Sequence, residues 1–304
     1  MTLRICFITD NKPGHKNQLE GLQNSLALKV ELECVWLSVK TTPFSWLNLF
    51  KKNKQLNLPF VPDVVIAAGS DTQLFALTVK RQFNAFLVLL MRPSVFPQCL
   101  FDALIIPEHD KPKRSVRIFK SFGVLNKVRP HKLTEPSRKG LILIGGESKH
   151  YHWNSEAVLN QISTVIEKAS NIDTWLLTDS RRTPEAFRAL LGSKDGQKIE
   201  FFPHESTDAN WLPAQMKAVD QIWVTPDSVS MVYEALSSGK ITGLFVLSEI
   251  KQGRVVQGIN NLMKGKLVLS VSDMDIELEH THSFCEADRA ADWLLSRLNE
   301  VRVG

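Results

Sequence analysis

The order of elements along this 304-residue chain predicts an α/β protein with two Rossmann-like, doubly wound domains facing a central cleft. Three observations carry the prediction. Apolar runs alternate with amphipathic stretches in both halves, and several runs are continuously apolar, as parallel strands covered on both faces must be. Each half opens on a strand, a glycine-bearing turn and an amphipathic helix. A polar stretch with two prolines and no periodicity, 127–139, separates the halves and reads as a linker. The domains are expected over 1–133 and 138–282, with a final helix over 283–304 packing back across the linker.

In the first half, strands are expected at 3–9, 30–37, 63–68, 85–91 and 103–107, with helices near 16–28 and 71–82. Leu19, Leu22 and Leu26 share one face of the first helix. Residues 40–62 are less regular, and read either as a mobile loop or as a short membrane-facing element. In the second half, strands are expected near 140–145, 174–178, 199–203, 221–225, 241–247 and 267–271. Helices are expected near 154–169, 183–191, 211–218, 228–238, 252–264 and 285–299. Ligands of such folds bind beyond the carboxyl ends of the strands, here the expected cleft.

Apolar residues make up 43 % of the chain and charged residues 23 %, the balance of an ordinary globular protein. The net charge of +5 is spread over clusters at 51–54, 111–117 and 127–138 rather than held in a tail. Such clusters are usually solvated surface, and they also suit an anionic membrane face or an acidic substrate. Nucleic acid is not expected, because no basic stripe with interleaved aromatics appears. Cys6, Cys34, Cys99 and Cys285 form no C-x-x-C pair, which argues against a zinc knuckle or a redox dithiol. Because the first residues read as a strand, no signal peptide is expected, and the longest apolar run, 86–91, is too short to span a bilayer. The expected location is cytoplasmic, with peripheral contact at the inner membrane face.

The most informative run is 225–240, Thr-Pro-Asp-Ser-Val-Ser-Met-Val-Tyr-Glu-Ala-Leu-Ser-Ser-Gly-Lys. It follows the apolar strand 221–224, and Asp227 and Ser228 read as helix-start residues. A helix N-terminus behind a strand offers N–H groups to an anion. Ser228 and Ser230 add hydroxyl donors, and Glu234 one turn on suits a sugar hydroxyl. The competing reading is an ordinary capped helix, with Asp227 satisfying the free N–H groups itself.

Together these groups read as a nucleotide-diphosphate site, and two further junctions strengthen that reading. Residues 10–15, Asp-Asn-Lys-Pro-Gly-His, match neither a dinucleotide fingerprint nor a Walker loop. They place Gly14 for close approach and His15 at a helix start, a position that suits it to general-base work; a surface histidine near a cap is the alternative. At mid-chain, Gly145, Gly146, Ser148 and Lys149 supply the backbone access, hydroxyl and cation that a pyrophosphate needs. His150, His152 and Trp153 follow without a matched carboxylate set, so no metal is expected there. Ser180, Arg181 and Arg182 begin another helix and read as phosphate contacts or as a solvated corner. His109 and Asp110, after the strand 103–107, are a second choice for the base. The D-x-D pattern at 273–275 lies late in the chain and reads as a loop, and no G-x-S-x-G elbow is present. Neither metal nor organic cofactor is expected.

Five ordered motifs carry a family resemblance over nearly the whole chain. They are D-x-K-P-G-H-x-x-Q at 10–18, P-E-H-D at 107–110, I-G-G-x-S-K-H at 144–150, T-x-S-R-R-T-P at 178–184 and V-T-x-D-S-V-S-M at 224–231. In this set the chain resembles the mitochondrial-fission-protein-like family of GT-B-type glycosyltransferases. That family is remotely similar to the enzyme that adds N-acetylglucosamine to lipid II. The resemblance implies a GT-B fold and transfer of a sugar from a nucleotide-sugar donor, without metal. In the lipid II enzyme a glutamate five positions before a Gly-Lys pair contacts the ribose; Glu234 stands five before Gly239-Lys240, and His15 matches the histidine of the first glycine loop. The chain departs from the pattern in having Lys240-Ile241 where Gly-Lys-Pro is usual, and one glycine in its first loop. Two other readings stay open: a scaffold that keeps the fold and acts through partners, and a sugar-nucleotide epimerase.

Overall fold

The computed structural model describes residues 2–40, 56–192, 198–208, 210–273 and 284–303. The irregular stretch 41–55 and the last two residues of the D-x-D pattern lie outside them. The chain divides into two units, one formed by residues 1–127 and 286–304 and the other by 128–285.

The first unit holds β1 (Leu3–Thr9), α1 (Pro13–Ala27), β2 (Leu32–Ser38), β3 (Val64–Ala68), α2 (Gln73–Phe83), β4 (Phe86–Leu90), β5 (Ala103–Pro107) and β6 (Ile118–Ser121). Its strands form one six-stranded sheet in the order β2-β1-β3-β4-β5-β6, with every pair parallel. Every residue of β3 and β5 is buried, which is why those runs carry no polar alternation. Cys6 is fully buried in this core, and burial pushes its thiol up to about 12, so it is a packing residue rather than a nucleophile.

The second unit holds β7 (Lys139–Leu143), α3 (Ser155–Lys168), β8 (Thr174–Thr178), α4 (Glu185–Gly192), β9 (Ile199–Phe202), α5 (Trp211–Ala218), β10 (Gln221–Val224), α6 (Val229–Ser237), β11 (Ile241–Leu244), α7 (Arg254–Lys264) and β12 (Leu269–Ser270). Read from β9, its sheet runs β9-β8-β7-β10-β11-β12, the 3-2-1-4-5-6 order of a dinucleotide-type fold. Trp175 and Trp223 are fully buried, each over a glycine of the neighbouring strand: Gly140 opposite Trp175, Gly243 opposite Trp223.

Residues 128–133 lie with the second unit, not the first. The His131 N–H donates to the Ser238 carbonyl at 3.0 Å. The last helix, α8 (Glu286–Val303), belongs to the first unit. Its buried face, Ala287, Ala290, Ala291, Leu294 and Leu298, repeats at helical spacing. Lys29 pairs with Asp292 at 2.7 Å, and Trp293 stacks at a tilt on Phe119. The buried Glu286 carboxylate accepts from the Phe122 N–H at 2.8 Å and from Arg289 at 2.6 Å. Glu286→Ala strands that N–H, so a loss of about 1–3 kcal/mol is expected, read as a lower urea midpoint. Glu286→Gln, which keeps an acceptor, should recover part of it; an unchanged midpoint in the alanine variant would show that the tie is unimportant.

Candidate functional site

Each sheet has one place where consecutive connections leave in opposite directions, and polar residues gather at both. In the first unit it lies between β1 and β3. β1 delivers Asp10 to its carboxyl end, with the carboxylate 1 % exposed. The Asp10 carboxylate accepts from the Lys12 N–H at 3.0 Å, from the Lys12 ammonium at 3.1 Å and from His15 Nδ1 at 2.9 Å. Burial raises this carboxyl, but the bonds from Lys12 and His15 outweigh it and hold the group below the ordinary aspartate value. An ionised carboxylate only accepts, so Nδ1 of His15 carries the proton. In the neutral ring Nε2 is then the basic nitrogen, on a side chain 21 % exposed. Lys12 also reaches Asp71 at 2.9 Å, joining the loop after β1 to the loop after β3.

Gly69 is the residue that makes room for this pair. Its φ of +97° suits glycine, and a Cβ there would lie 2.6 Å from His15 Nδ1 and 3.0 Å from Asp10 Oδ2. Gly14 faces open space, with nothing within 4 Å of a Cβ built on it. His109 and Asp110 sit in a short 3₁₀ turn at the end of β5, three strand positions from β1. At about 4.8 Å per strand that is roughly 14 Å along the sheet, so they do not join the His15 cluster.

In the second unit the corresponding point lies between β7 and β10. Gly145 donates its N–H to Thr225 Oγ1 at 2.7 Å, and Gly146 donates to Asp227 Oδ2 at 2.9 Å. Arg182 pairs with the same carboxylate at 2.8 Å and donates to the Glu147 carbonyl at 2.9 Å. Ser180 donates to the Gly145 carbonyl at 2.7 Å, and Thr183 donates to it as well. Both glycines are required by close packing: a Cβ on Gly145 would lie 2.2 Å from the Asp227 carboxylate, and one on Gly146 2.0 Å from the Arg182 carbonyl oxygen. Gly145, Gly146, Ser180, Arg182 and Asp227 thus form one hydrogen-bonded frame, and the two glycine N–H groups are engaged by protein acceptors. Burial pushes the Asp227 carboxyl up, against the bonds from Thr225 and Gly146 and the Arg182 charge.

Drawing Asp227 into that frame has a consequence for α6. Its carboxylate does not cap the helix; Ser228 is the N-cap residue and makes no side-chain cap bond, and the first turn holds no acidic residue. Among the described residues the N-terminal N–H groups therefore have no side-chain acceptor, contrary to the capped-helix reading. Ser230 is exposed there, and Ser228 and Glu234 are half-buried. Ser148 Oγ accepts from the N–H groups of His150 and Tyr151, both at 3.2 Å, while Lys149 and Arg181 are exposed. The phenol of buried Tyr151 is pushed above its ordinary value by burial and by the Glu249 and Asp227 charges.

Asp179, His204 and Glu205 bring three potential ligand atoms within 4.8 Å of one another. Arg188 already supplies the positive charge there: it bonds Asp179 at 2.5 Å, Glu205 at 3.0 Å and lies 3.1 Å from His204 Nδ1. The group is an ion-pair network tying β8, α4 and the turn after β9.

Sequence reasoning did not single out Gly69, Thr225 or Asp71, nor give Asp10 a role of its own. The signal for Gly69 and Asp71 was present as a fourth strand–turn–helix junction, Val64–Ala68 followed by Gly-Ser-Asp.

The model of the mitochondrial fission ELM1 family matches residues 13–298. The chain belongs to that family. An uncharacterized protein, RP120, of Rickettsia prowazekii (strain Madrid E) is 26 % identical over 299 residues, covering 80 % of this chain and 83 % of its own. Among solved structures, a UDP-N-acetylglucosamine 2-epimerase candidate from Listeria monocytogenes matches with a TM-score of 0.59 at 14 % identity, over 99 % of this chain and 97 % of its own. The S. aureus MnaA–UDP co-structure matches at 0.51 and 14 %, over 98 % and 96 %. A glycosyltransferase of kitacinnamycin matches at 0.51 and 11 %, over 98 % and 100 %. This ELM1-family chain therefore has the GT-B fold, with two six-stranded parallel α/β units.

Proposed function

We propose that this ELM1-family protein binds a nucleotide sugar through its second unit and transfers the sugar to an acceptor hydroxyl, with His15 as the base. The observation that carries the reading is the uncapped start of α6 at the β7/β10 switch point, flanked by Ser228, Ser230 and Glu234. N–H groups and a helix dipole there stabilise a leaving diphosphate without a metal. Gly145, Gly146, Ser180, Arg182 and Asp227 hold the loop beside it, Ser148, Lys149 and Arg181 supply further donors, and Gly14 gives open access beside His15. The His15–Asp10 pair supports base chemistry, because the carboxylate fixes the tautomer and stabilises the imidazolium that forms.

A uridine diphosphate is the first probe, since the MnaA structure was solved with UDP. At 100 times its dissociation constant a ligand stabilises by about 2.7 kcal/mol, a clear thermal shift. Glu234→Ala is expected to weaken nucleotide binding by about 1.5–3 kcal/mol in a folded protein, as a lost charged hydrogen bond does. Unchanged calorimetric affinity would take Glu234 out of the site.

The epimerase reading is favoured by the likeness to the Listeria protein. It predicts reversible formation of an epimer from the nucleotide sugar alone, seen by proton NMR without acceptor. Absence of any nucleotide binding would instead support a scaffold acting through partners, including an anionic membrane surface. Among the described residues no helix is long and apolar enough to cross a membrane.

A further inference from the structure

The strands of the second unit are parallel, so the candidate nucleotide site at their carboxyl ends leaves the amino end of the sheet free. There the segment 130–136 runs across the starts of β10 and β11 and lines a half-open pocket of about 480 Å³, within the range of small-molecule sites. The segment is tied down at both ends. His131 N–H donates to the Ser238 carbonyl, and Asp220 accepts from Ser137 N–H and Oγ, each at 3.1 Å, and from Arg138 N–H at 2.6 Å. Between the ties, the N–H groups of residues 132–135 have no hydrogen-bond partner among the described residues.

Lys240 stands in the wall of this pocket, half-buried. Among the described residues no carboxylate comes within ion-pair distance of its ammonium, because the nearby Asp220 is held by Ser137 and Arg138. Burial lowers its pKa and the Asp220 charge opposes that, so the ammonium is a desolvated cation without a direct counter-ion. Lys132 and His131 are exposed on the same wall, against one further carboxylate, Glu135, and Leu133 adds an apolar surface. Two lysines beside a solvent-facing stretch whose N–H groups have no protein acceptor suit an anion with several acceptor oxygens.

We propose that this pocket is a second binding site, for a small organic phosphate held by Lys240, Lys132 and the open N–H groups of residues 132–135. It stands one strand length, roughly 13 Å, from the nucleotide site and does not depend on it.

The test is calorimetric titration of the full chain with glycerol 3-phosphate, paired with hydrogen exchange. Saturable binding is expected, weakened at least about tenfold in Lys240→Gln and again in Lys132→Gln, as for a lost charged hydrogen bond. Ser230→Ala, at the nucleotide site, should leave it intact, and exchange should slow at residues 132–135. Lys132 is exposed, so its variant keeps the test valid even where Lys240→Gln fails to fold. Absence of saturable binding at millimolar concentration overturns the proposal. So does binding that survives both lysine changes but is lost in Ser230→Ala. Binding to phosphatidylglycerol vesicles but not to the soluble phosphate would identify a lipid surface and overturn it as well.

Discussion

Replacing His15 by alanine is expected to lower turnover by roughly 10²–10⁴-fold while nucleotide affinity stays near wild type. The reason is local to the first unit. Asp10 is buried and ionised, holds Nδ1 of His15 as a donor, and so leaves Nε2 to accept a proton. Asp10→Asn keeps the shape but not the charge. It should also slow turnover, because the amide stabilises the imidazolium less and permits the other tautomer. Asp10 also carries a pH signature. Its carboxyl is lowered in the folded protein, so its stabilising contribution is present above the unfolded aspartate pKa of about 3.9 and is lost as pH falls through the folded value. The stability gap between wild type and Asp10→Asn should therefore narrow on acidification from pH 6 to about pH 3. Measurement needs transfer rate, nucleotide affinity and urea midpoint on the same preparations. Full turnover in His15→Ala would remove it as the base and leave His109 or Asp110 as candidates.

Gly146→Ala should be the most damaging single-atom change in the second unit. The added Cβ would stand 2.0 Å from the Arg182 carbonyl oxygen and 2.6 Å from the Thr183 nitrogen, both backbone atoms with no rotamer by which to withdraw. The loop after β7 must move, and with it the Gly146 N–H to Asp227 bond and the Arg182 to Asp227 pair. An overpacking cost of about 1–3 kcal/mol is expected, together with loss of nucleotide binding. Asp227, released from its frame, could then turn to cap α6 and occupy the N–H groups an anion would use. Gly192→Ala is the control, since nothing lies within 4 Å of a Cβ there. Equal stability and nucleotide affinity in Gly146→Ala and wild type would show that the frame does not set the site.

Most of the alternating pattern is a local property, and local chemistry recorded it. The first-half strands expected at 3–9, 63–68 and 103–107 appear at Leu3–Thr9, Val64–Ala68 and Ala103–Pro107, because a strand buried on both faces must be apolar throughout. The strand β6 escaped notice for the opposite reason. Four residues long, at a sheet edge and partly polar, it is covered by α8 from the far end of the chain, through Phe119 and Trp293.

The sequence by itself determined the alternation of elements apart from β6, the two parallel-sheet α/β units and the turns at which polar residues collect, since periodicity and turn chemistry act over a few residues. Only the tertiary structure decided which of those residues meet. Strand order set Gly69 against His15 across 54 positions and Asp227 against Gly146 across 81. Sequence reading placed Asp227 at the start of α6, where spacing allows it to cap; in the fold, burial beside Gly146 N–H and Arg182 turns it the other way. The two mid-chain glycines were read as access for a phosphate, yet the space beside them is filled by Asp227 and the Arg182 backbone. A glycine has no side chain to report what stands next to it, so its reason for being there is written in the partner strand.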